Sequence, residues 1–130
     1  MSSSRDPGAQ SSERRSTGLL RVPFVRRCQL EFEDGQRASA LIVNINVLGA
    51  YVAHDVLPRL GRVLWLRFGV PGNVREVALR GVVAWVNRHQ DDPVHSLPPG
   101  FGVRFAELGD EARQRIETLV DDYVKRQGGR

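Results

Sequence analysis

Val43-Asn44-Ile45-Asn46-Val47-Leu48-Gly49-Ala50-Tyr51-Val52 begins and ends in β-branched and aromatic residues, the side chains that favour extended backbone. Between those ends stand two asparagines with one residue between them, followed by a glycine. Asparagine hydrogen-bonds its own backbone and tolerates left-handed geometry, and glycine permits φ > 0. The stretch therefore reads as a strand that kinks and runs on as another strand. Two accounts of the kink are open. It is either a tight connection made of the usual turn residues, or a polar pocket floor. In the second account the amides face a ligand and the glycine lets it approach the backbone.

The flanking sequence keeps the period of two. On the N-terminal side Phe24, Cys28, Leu30 and Phe32 share one face, opposite Arg27, Gln29, Glu31 and Glu33. Arg26 falls at the start of the apolar face, within reach of a barrel mouth. Asp34-Gly35 is a strong hairpin signal, and the return strand runs from about Gln36 to Ile45. Downstream, Tyr51-Val52-Ala53 continues a third strand. A fourth places Leu64, Leu66 and Phe68 on one face and Val63, Trp65 and Arg67 on the other. After the turn Pro71-Gly72-Asn73, a fifth strand spans about Arg75 to Asn87 and reads as the longest. Arg88 to Gly100 is too proline-rich for regular structure. Phe101 to Phe105 is a sixth strand with its phenylalanines on one face.

A helix closes the chain. Asp110 reads as its N-cap, Glu111 lies in the first turn, Lys125 and Arg126 lie near the end, and Gly128-Gly129 stops it. Ala112, Ile116, Leu119, Val120, Tyr123 and Val124 form an apolar stripe at helical spacing. Six short strands and one late helix predict an all-β domain, an antiparallel barrel or sandwich with a helical flank. Barrel closure would remove the exposed edges.

Composition narrows the function. At 130 residues the chain holds one domain, and 41% hydrophobic residues supply a core. No apolar run approaches the roughly 18–20 residues of a membrane span. The N-terminus lacks the apolar centre of a secretory signal, and one cysteine, Cys28, supports no internal disulfide framework. A cytoplasmic location is the expectation. Residues 1–20 contain almost nothing to bury and read as a flexible arm bearing Arg14 and Arg15; the folded unit is expected over 21–127. Of 19 cationic residues, 18 are arginine, for a net charge of +4. Arginine's planar fork suits phosphates and the guanine edge, so the composition permits an anionic partner.

His54, His89 and His95 form no metal-ligand spacing with Cys28, and no phosphate loop, nucleophile elbow or zinc-protease motif is present. Neither a resident cofactor nor an enzyme is expected. The chain reads as a binding module.

Four segments occur in a telling order: Arg21-Val22-Pro23, Asn44-x-Asn46-x-x-Gly49, Gly81-Val82-Val83-Ala84-Trp85-Val86 and Gly100-Phe101-Gly102-Val103-Arg104-Phe105. Closed by a helix, that order resembles a PilZ domain from about Arg21 to Arg126. The resemblance implies a six-stranded antiparallel β-barrel that binds the bacterial second messenger cyclic di-GMP. The family's motifs are Arg-x-x-x-Arg ahead of the first strand and Asp/Asn-x-Ser-x-x-Gly between the second and third. Arg21 matches the second arginine, Asn44 the Asp/Asn position and Gly49 the glycine. Asn46 stands in place of serine and Thr17 in place of the first arginine, with Arg14 and Arg15 displaced toward the N-terminus. The resemblance implies a ligand site of Arg14, Arg15, Arg21, Asn44, Asn46 and Gly49.

Three functions follow as expectations. The first is a single-domain signalling adaptor in which cyclic di-GMP orders the arginine-bearing arm and a separate downstream protein reads the result. The second is a protein-interaction module that has lost nucleotide binding. The third is a single-strand nucleic-acid binder, for which the outward Trp65 is mild support.

Overall fold

Alternation builds β1 over Val22–Phe32: Val22, Cys28, Leu30 and Phe32 are buried, while Pro23, Val25, Arg27 and Gln29 are exposed. The computed structural model describes residues 20–72, 74–88 and 97–128. Residues 1–19 of the expected arm, with Arg14, Arg15 and Thr17, lie outside them. So do Asn73, Gly129, and His89 and His95 of the proline-rich loop. At Asp34-Gly35 the chain reverses as expected. Gly35 takes φ 89°, Gly35 N–H donates to Phe32 O at 2.8 Å, and Asp34 Oδ1 accepts from Gln36 N–H at 2.9 Å.

The remaining strands are β2 (Arg37–Ile45), β3 (Gly49–Ala53), β4 (Val63–Phe68), β5 (Val77–Asn87) and β6 (Gly100–Ala106). They close into an antiparallel barrel in the order β1-β2-β3-β6-β5-β4. Pairing of β1 with β4, from Gln29 opposite Arg67 to Phe32 opposite Leu64, makes the closure. It resolves the barrel-or-sandwich alternative in favour of the barrel. The interior is filled by Leu30, Ile42, Ile45, Leu64, Leu66, Val83 and Phe101, each at most 2% exposed. Burying such side chains contributes roughly 1.5–3 kcal/mol each.

Two boundaries differ from expectation. β5 begins at Val77 rather than Arg75, so at 11 residues it equals β1 instead of exceeding it. Arg75 is held elsewhere: its carbonyl accepts from Arg115 Nη1 at 2.9 Å. The helix, α1, spans Asp110–Gly128, and Gly109 rather than Asp110 takes the cap position. The Gly109 carbonyl accepts the first helical bond, from Arg113 N–H at 2.9 Å. Asp110 and Glu111 then lie in the first turn, where negative charge suits the helix dipole. Ile116 and Val120 of the expected stripe are buried, and Ala112, Leu119, Tyr123 and Val124 pack against the barrel core. A groove of 590 Å³ separates α1 from the start of β1 and the turn after β4. Among the described residues no helix is long and apolar enough to cross a membrane.

Arg26 lies where the alternation placed it, its guanidinium 5.7 Å from the centre of the Phe24 ring. Phe24 meets Phe68 edge-on at 5.7 Å. Cys28 is a buried, unpaired thiol, and loss of solvent pushes its pKa up to about 12.

Candidate functional site

A register shift decides which way Asn44 points. β2 pairs with β3 through Ile42–Val52 and then Asn44–Tyr51, so Val43 is an extra residue on β2. This bulge turns Asn44 outward between the inward Ile42 and Ile45. A second irregularity, between Pro23 and Arg26 of β1, puts Pro23 opposite Asn44. Arg21, one residue before β1, then reaches Asn44: its Nη1 donates to Asn44 Oδ1 at 3.4 Å. Residue 21 is exposed as a whole, yet its guanidinium lies close enough to the barrel that desolvation lowers its pKa. It stays a cation at any ordinary pH.

Asn46 points the other way. It is buried, and its Oδ1 accepts from Leu48 N–H at 2.8 Å and Gly49 N–H at 3.0 Å, while Asn46 N–H donates to Gly49 O at 2.9 Å. The amide oxygen thus builds the turn from inside. Asn46 thus makes the tight connection that the sequence allowed, while Asn44 faces outward on the barrel wall.

Gly49 corrects a further expectation. None of Asn44, Asn46 and Gly49 takes a positive φ. The glycine is needed because a Cβ there would run into the Val103 carbonyl oxygen of β6. It lets β3 approach β6, and no ligand is involved in that requirement.

The outward row that contains Asn44 continues across the barrel. Pro23, Asn44, Tyr51, Gly102 and Trp85 are successive register partners on β1, β2, β3, β6 and β5. A third bulge, between Val83 and Trp85, brings Trp85 into the row. Its ring lies over Gly102 and 5.5 Å from the Tyr51 ring, and the residue remains 40% exposed. From Asn44 to Trp85 the row spans about 14 Å, three interstrand spacings. Tyr51 is buried beneath it. Its hydroxyl donates to Pro98 O at 2.5 Å and accepts from Asn87 Nδ2 at 3.1 Å. Burial raises the Tyr51 pKa, and the Asn87 hydrogen bond opposes that rise. Arg104, exposed, is the register partner of Gly49 and borders the same turn.

Of the residues expected from sequence, Arg21 and Asn44 come together on this face. Asn46 and Gly49 shape the turn beside it, and Arg14 and Arg15 are not described. Tyr51, Trp85 and Arg104 were not singled out for the site. Arg104 was visible through the alternation of Gly102-Val103-Arg104-Phe105. Trp85 was not, because its direction depends on a bulge.

The PilZ domain profile matches residues 10–122. The chain belongs to the PilZ domain family. This is a family of cyclic di-GMP receptors, and the six-stranded antiparallel barrel with one C-terminal helix is its fold. Two solved PilZ domains share the architecture. The PilZ domain of CeSA from a cellulose-synthesizing bacterium is 13% identical, with TM-score 0.57 over 81% of this chain and 98% of its own. The PilZ domain of YcgR from Escherichia coli, solved with c-di-GMP, is 10% identical, with TM-score 0.61 over 85% of this chain and 95% of its own. No curated protein matches this chain in sequence. The departures from the PilZ motifs therefore fall at Thr17, outside the described residues, and at Asn46, where the structure gives the side chain a turn-building role.

Proposed function

We propose that this PilZ domain binds cyclic di-GMP on the outward row from Arg21 to Trp85 and passes the signal to a separate protein in the cytoplasm. Residues 1–20 form the arm and 21–127 the folded unit, and ligand orders the arm over the barrel wall. The observation that carries this reading is the Arg21–Asn44 hydrogen bond, which joins two motif positions 23 residues apart in sequence.

The chemistry suits the ligand. Cyclic di-GMP presents two guanines and two phosphodiester charges. A guanidinium donates twice to guanine O6 and N7 and also opposes phosphate charge. Arg21 supplies one such group and Arg104, beside the turn, a second. Trp85 offers an exposed ring for stacking, a contact worth about 1–3 kcal/mol per base in nucleic-acid complexes. Arg14 and Arg15 replace the motif's first arginine by closing over the ligand. That closure costs roughly 1–2 kcal/mol of backbone entropy per ordered residue.

Calorimetric titration with cyclic di-GMP tests the reading. The wild type releases heat saturably, and Arg21→Ala and Asn44→Ala each weaken binding, Arg21→Ala by about tenfold or more, as expected for a lost bidentate contact of 1–3 kcal/mol. No heat from the wild type at high ligand would overturn the proposal in favour of a nucleotide-independent interaction module.

A further inference from the structure

The chain has two tryptophans, and both lie on the outer wall of the barrel. Trp65 of β4 is 47% exposed. Its strand neighbour Val63 is paired with Val82 of β5, and both valines are half-buried on the same outer face. Ala84 extends this strip along β5. Neither the helix nor the nucleotide row uses Trp65, Val63 or Val82.

The shape and charge of the strip select its occupant. The barrel wall is convex, and the hollow beside Trp65 measures 180 Å³, below the usual size of a small-molecule pocket. Its shape suits a macromolecular surface and not an enclosed small molecule. The surrounding charge has both signs: Glu31 and Arg80 are the direct cross-strand neighbours of Trp65, and Arg67 follows on its own strand. Glu107 pairs with Arg80 at 3.6 Å and Arg37 with Glu31 at 3.8 Å. Carboxylates in those positions repel a polyanion, so nucleic acid is disfavoured. Exposed, loose ion pairs contribute little where they stand and re-pair readily with a new partner. A closed barrel also has no free edge for strand addition, so contact must be made face to face.

We infer that the β4–β5 wall is a self-association surface, on which a second copy of this chain packs about a two-fold axis. In such an isologous contact the same patch meets itself, so arginines of one copy meet glutamates of the other around the central apolar strip. Tryptophan and arginine are the residues most enriched at the energetic centres of protein interfaces. The inference does not depend on nucleotide binding.

Sedimentation velocity of the nucleotide-free chain, from micromolar to near-millimolar concentration, reads the result. The wild type moves toward twice the chain mass as concentration rises. Trp65→Glu and Arg67→Glu each raise the dissociation constant at least tenfold, whereas Leu41→Glu, on the β2 wall, leaves it unchanged. Both interface positions are exposed; circular dichroism confirms the fold, and Arg67→Glu decides the matter if Trp65→Glu unfolds. A wild type that stays monomeric throughout overturns the inference, as does association that neither variant weakens. A monomer that binds a fluorescent single-stranded oligonucleotide through Trp65 overturns it in favour of nucleic acid.

Discussion

Asn46 stands at the family's serine position and supplies an acceptor that builds the turn. A serine hydroxyl also accepts from backbone N–H groups two or three residues on, so either side chain can close the turn. Asn46→Ser should therefore retain the fold with a small loss of stability. Asn46→Ala removes the acceptor for the Leu48 and Gly49 N–H groups and should cost about 1–3 kcal/mol, read from urea denaturation. Cys28 gives a second residue-level prediction. Its folded pKa of about 12 lies above the ordinary 9.0, so the folded state holds the proton more tightly than the unfolded chain. The stabilisation is complete below pH 9 and is lost as pH rises toward 12. Urea midpoints should fall between pH 8 and pH 10 more steeply for the wild type than for Cys28→Ala, and equal slopes would refute the assignment. The sequence announced that Asn44 and Asn46 mattered and withheld their directions. The residues have the same type, but the extra residue Val43 turns Asn44 outward, whereas Asn46 lies past the end of β2 and folds back onto the Leu48 and Gly49 N–H groups.

At the scale of elements, the period of two placed β1, β4 and β6, because an inward apolar face is a property of one segment. Bulges are properties of a pair, and all three of the relevant register shifts were invisible until the partners were known. Tyr51 illustrates the consequence. Alternation puts it on the outer face, yet it is fully buried because Trp85 and Pro98 close over it. Its hydroxyl fastens the segment before β6 to β3, and the adjacent Pro99 carbonyl accepts from His54 N–H at 3.1 Å. Tyr51→Phe should cost about 1–3 kcal/mol by removing a buried hydroxyl bonded on both sides. It should also speed amide hydrogen exchange at His54 while exchange at Leu30 and Leu66 changes only with global stability. Exchange at His54 that tracks the global change alone would show that the hydroxyl does not anchor this segment.

Across the whole molecule, closure of β1 onto β4 gives the barrel two distinct outer faces, each marked by one tryptophan. The sequence indicated six strands and a helix but could not order them, since strand order depends on pairings far apart in the chain. With the order known, Trp85 shares a row with Asn44 and Tyr51, whereas Trp65 shares one with Arg80 and Glu31. A nucleotide resting between Arg21 and Trp85 changes the polarity around one indole and leaves the other in water. In dilute solution, where copies are separate, adding cyclic di-GMP to Trp65→Phe should shift tryptophan emission by nearly the full wild-type amount. In Trp85→Phe the change should disappear while calorimetry still detects binding, weakened by the lost stacking contact. If Trp85→Phe kept the full emission change, the ligand would lie against the β4 wall, and the row built on Asn44 would not be its site.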